Sequence, residues 1–527
     1  MTPERSGATG LRMGIDVGST NTDTVLVDAD GSVTARAKVP AVADLAECID
    51  TAVSSLLVRG TVDPAAVCAI SLGTDRSQDS VDAGADLRRV AVLRIGAPLS
   101  GAIPPMATWP AGLRSMVDAG TAIVAGGCEL DGTRIAPLDE RAVARFADAV
   151  AGRADAVAVT AVFSPVDPAD ELRAARILAD RLGPVTVSAS HEIGSMGLLE
   201  RENATVLNAA LSGGVEHTAS ALRAVVRRHG MDAECFLTQR DGTLRALGHA
   251  TRFPILAIGS GPANSMRGGA HGSGLADAVV VDVGGSRTTV GRLVDGFPDE
   301  STSPYTIGGV VTNLRLPDLV VLPLGGGSLR DARCNGGPLA TLTDAAVADG
   351  RTTAGGVGVP ESDRAGLARR LARYDQLLAE AVDRIGLGAH GLPVLVVGGG
   401  GGIAPDRLPG IGRVVRPPHG EVANAVGAAV APVGGTAERI CGGRPDLLRR
   451  AVEELSAEAV DHAVQAGAWP ERVRVAGVEE IPLSYLRDPA VRVRVRAVGP
   501  PLVPPRMPGP PSGRPGVPSR SPARSPR

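Results

Sequence analysis

"MGIDVGSTNTDTVLVD", residues 13–28, reads as an apolar strand ending in Asp16, a small-residue turn, and a second apolar strand ending in Asp28. A glycine turn lets backbone N–H groups approach phosphate oxygens closely, and hydroxyl residues add donors. Gly18, Ser19 and Thr20 supply both features, and Asp23 follows. A carboxylate at the mouth of such a turn suits a hydrated Mg²⁺, which keeps several of its waters. The pattern returns far along the chain as "AVVVDVGGSRTTVGRLVDG", residues 278–296. There Asp282 precedes Gly284, Gly285 and Ser286 before another apolar strand. One hairpin of this kind is weak evidence. Two predict related halves facing each other across one nucleotide, with Asp16 and Asp282 holding water around the metal. A third stretch, "PVLVVGGGGGI" at 393–403, runs an apolar strand into five glycines, Gly398, Gly399, Gly400, Gly401 and Gly402. That density allows the backbone to lie flat against the adenosine end. Neither a Walker-type GxxxxGK[ST] nor a dinucleotide GxGxxG with its downstream acid is present.

Composition narrows the class. A chain of 527 residues is long enough for two or three domains. With 44% hydrophobic but only 2% aromatic residues, its cores are packed by Ala, Val and Leu. A net charge of −3 argues against nucleic-acid binding. The six cysteines are scattered without CxxC spacing, so they read as buried reduced thiols rather than a zinc ribbon or a disulfide framework. The eight histidines show no HxH or HExxH spacing. The first residues lack a signal pattern, and no apolar run reaches the ~20 residues of a membrane span, so a cytoplasmic location with no membrane contact is expected.

Short Val/Ile-rich runs (Val67–Leu72, Arg89–Ile95, Ala156–Val162, Ala278–Val283, Pro393–Val397) alternate with segments of helical length. The helices are expected over Asp44–Arg59, Glu140–Ala151, Ala169–Leu182, Ser195–Leu211, Thr218–His229, Ser362–Ile385 and Arg444–Ala466. Such alternation predicts an α/β fold. From about Val498 the composition turns to Pro, Gly, Ser and Arg, which cannot bury enough surface to offset ordering, and a disordered tail over 498–527 is expected.

Two acid–glycine hairpins with a glycine-rich adenosine turn resemble the actin/Hsp70/sugar-kinase superfamily, which implies two ribonuclease H-like halves around a nucleotide cleft. Further stretches narrow the resemblance: "HEIGSMGLLERENATVLNAAL" (191–211), "TQRDGTL" (238–244), "FPILAIGSGPANSMRGGA" (253–270), "LPLGGGSLR" (322–330) and "LTDA" (342–345). Together they resemble the hydantoinase A/oxoprolinase family over about residues 12–495. The resemblance implies a leader (1–11), an N-terminal region with the first hairpin (12–190), a hydantoinase A/oxoprolinase domain with the second (191–497), and the tail. It also implies ATP and Mg²⁺ as cofactors, a cyclic amide such as 5-oxoproline, a hydantoin or a lactam as substrate, and a separate B-type subunit. Whether the chain also self-associates stays open. Phosphorylating the amide oxygen would make the ring carbon attackable by water, with the protein mainly positioning groups and neutralising charge. By the same resemblance Asp16 and Asp282 take the catalytic and metal-holding roles, and Gly325, Gly326, Gly327 and Ser328 form a further loop near phosphate. Gly259, Ser260, Gly261 and Pro262 shape the cleft, and Glu192, Glu200, Arg201 and Asn203 stand on the substrate side.

Two places depart from the family pattern. The second hairpin usually reads Asp-x-Gly-Gly-Thr-Thr-Thr-Asp; here Arg287 enters the turn and Thr289 replaces the closing acid. The segment after Gly73 carries Asp75, Arg76 and Asp79 where a Thr/Asn-rich stretch is usual. Arg287 could pair with phosphate or fill the metal position. Three readings therefore stand at this level: an ATP-dependent cyclic amidohydrolase subunit, a non-catalytic ATP-binding regulatory subunit, and a small-molecule kinase of the same superfamily.

Overall fold

The computed structural model describes residues 10–503 except 61, 195, 302, 328–339, 354–363, 387–390, 409–411 and 484–489. The leader is shorter than expected, because Leu11 already begins a strand. Both hairpins form. Leu11–Val17 pairs antiparallel with Asn21–Val27, and Ala278–Val283 with Thr288–Val294. Each first strand is joined on its other side by a parallel strand, Val67–Thr74 in one case and Val394–Val397 in the other. Each second strand pairs with a third antiparallel one, Val33–Pro40 or Leu319–Leu322. Outermost and parallel lie Glu234–Thr238 and Val414–Val415. With strands counted from each hairpin, both sheets therefore run 3-2-1-4-5. The repeat inferred from two short motifs is a repeat of whole five-stranded units.

The halves differ in what is added to them. Between its fourth and fifth strands the first unit carries an insert with its own four-stranded parallel sheet, Asp118–Ala125, Val90–Ala97, Ala156–Ala161 and Thr186–Ala189. The same sheet is extended beyond Glu234–Thr238 by Leu244–Ala246 and by the late strands Val433–Gly442, Ala490–Gly499 and Arg474–Leu483, giving nine strands. A boundary at 190/191 thus does not follow the sheets, since the first sheet recruits residues from both ends of the chain. The tail begins later than 498: Gly499 pairs with Val433, and Pro501 bridges Ala468. Residues 504–527 lie outside the described residues.

The helices expected at Ser195–Leu211 and Thr218–His229 are one 31-residue helix, Leu198–Arg228. Ser212-Gly213-Gly214 reads as a break in isolation. In the fold Gly213 lies against the Arg88 side chain, whose Nε would be 3.2 Å from an added Cβ, and Arg88 N–H donates to the Ala210 carbonyl (2.9 Å). Tertiary packing overrides propensity there. Residues 201–212 of this helix are buried on every side, the mark of a core helix rather than a surface one. Arg94 of the insert anchors to it through two 2.6 Å bonds to Glu202, both side chains being fully enclosed.

Candidate functional site between the hairpins

Two helices wedge between the sheets and fix the site. Ser260–Ser273 begins after Gly259, whose φ of +82° suits glycine, and it crosses Ala423–Val430 at very close range. A Cβ on Gly427 would fall 1.9 Å from the Asn264 carbonyl oxygen, and one on Gly268 2.0 Å from that of Ala423. Ala423–Val430 in turn lies flush on the first strand, where a Cβ on Gly14 would sit 2.0 Å from the Ala425 carbonyl. Val422, Val426 and Ala429 pack on Val25 and Val27 behind the first hairpin. Larger residues at these glycines would push the helices outward and displace what they carry.

They carry Ser265 and Asn424, which join the two carboxylates. Asn424 Nδ2 donates to Asp16 Oδ2 (3.2 Å), Ser265 bonds to Asn424 Oδ1, and Ser265 Oγ lies 2.5 Å from Asp282 Oδ2. Ser265 has one proton for two acceptors. Burial raises the Asp282 pKa, against the opposing effects of Ser265 and Arg287. Burial also holds Asp16 well above the usual carboxylate range, reinforced by Asp75 and Asp23. The turn tips lie close as well: a Cβ on Gly285 would be 3.2 Å from the Thr20 side chain. Asp16 and Asp282, remote in sequence, therefore face one another across a shared cleft.

Cross-strand register sets the neighbours. Asp16 stands opposite Asp23, which stands opposite Lys38. Lys38 Nζ donates to Asp23 Oδ2 (2.8 Å), and a Cβ on Gly399 would be 3.7 Å from the same ammonium. Lys38 thus reaches from the first half to the glycine run of the second. Sequence reasoning missed it; its signal was the sole lysine of the sequence, two residues after Arg36 on the strand beside a charged hairpin.

The two departures from the family pattern are partners. Arg287 Nη2 donates to Asp75 Oδ2 at 2.6 Å, a bridge from the second hairpin to the first half. Asp75 also sits at the start of the wedge helix, where a Cβ on Gly261 would be 2.9 Å from its Oδ1. Arg287 fills neither the Asp16 nor the Asp282 position.

The remaining expected residues divide. Gly326 N–H donates to the Gly284 carbonyl (2.9 Å) and Gly327 N–H to that of Gly285 (2.6 Å), while Gly325 lies against the same turn. Those two amides are bound to the second hairpin, so the loop lies against that turn with these two donors already used. Ser328 lies outside the described residues. Gly398 and Gly400 pack on Asp282, Val283 and Gly284, Gly401 N–H donates to the Gly398 carbonyl, and Gly402 abuts Thr352. Gly399 is the one set toward Lys38. Gly18 N–H closes the first turn onto the Asn21 carbonyl (3.0 Å), with Ser19 and Thr20 exposed at the tip.

Glu192, Glu200, Arg201 and Asn203 are not gathered with the carboxylates. Arg201 donates to Ser190 Oγ (2.9 Å) and the Ala161 carbonyl (2.6 Å). Asn203 accepts from Trp109 Nε1 (2.7 Å) and donates to the Val311 carbonyl (2.9 Å). Glu192 pairs with Arg252, and Glu200 covers Gly197. Arg201 and Asn203 satisfy buried polar groups where the insert meets the long helix, a role that helical spacing does not distinguish from substrate binding.

Among the described residues no group of three or more His, Cys, Asp or Glu side chains is arranged to hold a metal ion. The donor set nonetheless fits Mg²⁺ held through water: two carboxylates with oxygen-only chemistry, joined through Asn424 and Ser265, stand together between the hairpins. No helix among the described residues is long and apolar enough to cross a membrane.

Comparison with known proteins agrees with this architecture. The structure of ATP-dependent caprolactamase from Pseudomonas jessenii superposes with a TM-score of 0.74 at 18% identity, over 93% of this chain and 87% of that one. An acetone carboxylase solved without nucleotide gives 0.67 at 16% identity, over 96% and 90%. In sequence, caprolactamase subunit alpha of Pseudomonas jessenii is 26% identical over 399 residues, 64% of this chain. The chain spans about half (54%) of that relative's length. The profile of the hydantoinase/oxoprolinase N-terminal region matches residues 12–182, taking in the first hairpin, and that of hydantoinase/oxoprolinase matches 201–360, taking in the second. With both acid–glycine hairpins inside those matches, the chain belongs to the hydantoinase/oxoprolinase family.

Proposed function

We propose that this chain is the ATP-handling subunit of an ATP-dependent hydrolase that opens a cyclic amide, a lactam or a related ring, working in the cytoplasm with a B-type partner subunit. The observation that carries the reading is the Asp16–Asn424–Ser265–Asp282 chain, which ties the two hairpins across one cleft. The similar caprolactamase is ATP-dependent, which supports the same class. Mg²⁺, held through water by Asp16 and Asp282, would neutralise phosphate charge.

The chain's own groups do the rest. The amides and hydroxyls of residues 18–20 and 284–286 would receive phosphate oxygens, and Lys38 lies close enough to the glycine run to add a positive charge. Asn424 and Ser265 hold the two carboxylates in place. The tips are close, with a Cβ on Gly285 falling 3.2 Å from the Thr20 side chain, so a phosphate chain would enter as the tips move apart. The Asp75–Arg287 pair spans that opening with side-chain exposures of 27% and 51%, so releasing it costs little.

The test is ATP turnover by the chain with its B-type partner in the presence of caprolactam, hydantoin or 5-oxoproline. Ring-dependent ADP release accompanied by the opened product is expected. ATP binding without ring-dependent turnover across the panel would contradict the enzyme reading, and a phosphorylated product with an intact ring would identify a kinase.

A further inference from the structure

A second cavity, of about 570 Å³, lies apart from Asp16, Asp75 and Asp282, none of which lines it. Three parts of the chain meet there: the insert at Ser164 and His191, the segment after the fifth strand at Arg240 and Arg245, and the late strands at Thr436 and Arg494. Five arginines and five carboxylates line its wall. Most of these charges are matched. Arg252 pairs with Glu192, Arg494 with Glu300, and Arg315 with Glu479 outside the cavity. Glu458 is 3.2 Å from Arg439, and Glu438 is 3.9 Å from Arg492. Arg240 also feels Glu300, which is hydrogen-bonded to Arg494, and both Arg240 and Arg245 face Asp241, whose Oδ1 is already taken by the Thr243 N–H and hydroxyl.

Neither arginine has a carboxylate partner among the described ion pairs. Arg240 Nε donates to the Arg315 carbonyl (2.6 Å), while its Nη1 is buried without a hydrogen-bond partner. An unmatched buried guanidinium N–H is costly unless something binds it. Arg245 Nη1 meets His249 Nδ1 at 3.1 Å, and its guanidinium stacks over Phe253. The field is positive: burial, then Arg245 and Arg252, push the His249 pKa down to about 4. Burial likewise lowers Arg240 to about 10. Across the cavity, His191 is locked in place, its Nδ1 2.6 Å from the buried Glu171, which also receives Ser190 Oγ and the Ala161 N–H. Phe253, Leu256 and Leu314 give the wall an apolar strip.

We propose that this cavity is a nucleotide-independent site for a small organic carboxylate, its oxygens on Arg240 and Arg245 and its carbon chain on Phe253 and Leu256. Opening a cyclic amide creates that group, so under the proposed function the site receives an acid product or a ring bearing one; the binding itself does not rest on that function.

The test is calorimetric titration of the full chain, without nucleotide, using butyrate, its neutral isostere butyramide and inorganic phosphate. Butyrate is expected to bind at least tenfold more tightly than butyramide. Arg245→Gln should remove that preference, Arg245→Lys should restore part of it, and Asp16→Asn should leave it unchanged. Circular dichroism checks that each variant is folded. Equal binding of acid and amide, or a folded Arg245→Gln that binds butyrate as before, would overturn the proposal. So would tighter binding of phosphate than of butyrate, which would make the pocket an oxyanion site of another class. Loss of ring-dependent turnover alone would count against the proposed function and leave this result standing.

Discussion

The two hairpins are the same backbone carrying different chemistry. Gly18 N–H to the Asn21 carbonyl (3.0 Å) matches Gly284 N–H to the Arg287 carbonyl (2.9 Å). Asp16 faces Asp23 as Asp282 faces Thr289, and Lys38 stands where the second sheet has Val321. The first hairpin thus holds an acid–acid–lysine ladder, while the second keeps one acid and gains Arg287 at its tip. Turn geometry is fixed by glycine and strand register and survives these changes. Charge is free to diverge, so the halves are not expected to share the work equally.

Exchanging the acids tests that inequality most strongly. Asp16→Asn should lower Mg²⁺-dependent ATP turnover by ~100-fold or more and Asp282→Asn by ~10-fold, consistent with the cost of losing groups that orient a metal. Both replacements should raise the thermal midpoint of the nucleotide-free protein near neutral pH, since each removes a carboxylate whose ionisation burial opposes. Similar losses of turnover from both would erase the distinction.

Ion pairs also link the halves, and Glu300–Arg494 and Asp75–Arg287 contrast in burial. Glu300 is held by Arg494 and Arg496 of the extended first sheet with 5% of its side chain exposed. Burial pushes its pKa up, but the arginines prevail and bring it to about 2. A folded-state pKa below the unfolded value gives stability that is present above about pH 4.5 and is lost as pH falls toward 2. Glu300→Gln should therefore cost on the order of 2–4 kcal/mol at neutral pH, with the gap to wild type closing over that acid window in denaturant titrations.

A smaller effect is expected from the ladder. Lys38→Met should weaken ATP binding by ~10-fold, as loss of a charge-assisted phosphate contact does, and should leave butyrate binding unchanged. The least is expected from Arg287→Thr. The pair with Asp75 is partly exposed and worth under about 1 kcal/mol, so stability should barely move while nucleotide association quickens a few-fold in stopped-flow traces.

Much of this was legible because local rules produced it. Asp-Val-Gly after an apolar run can hardly be anything but a strand entering a tight turn, and its recurrence carried the two-half architecture. What escaped was set by distant neighbours. The continuous helix through Gly213 depends on Arg88, and the shared nine-stranded sheet depends on strands near the end of the chain. Asn424 and Ser265 hold the site because three glycines let two helices and a strand touch. Arg287 and Asp75 each stood out as an anomaly, but only the fold shows that each answers the other. Arg201 and Asn203 donate to backbone carbonyls in the fold, which sequence alone does not show, since a polar residue on a core helix looks the same whether it meets a substrate or a backbone carbonyl.

On the proposed function, one nucleotide lies between Asp16 and Asp282. Calorimetric titration of Mg²⁺–ATP into wild type, Asp16→Asn and Asp282→Asn tests it directly. Saturable one-to-one binding by wild type is predicted, weakened by at least tenfold in each variant and more in the first. Wild-type isotherms from both variants would contradict it.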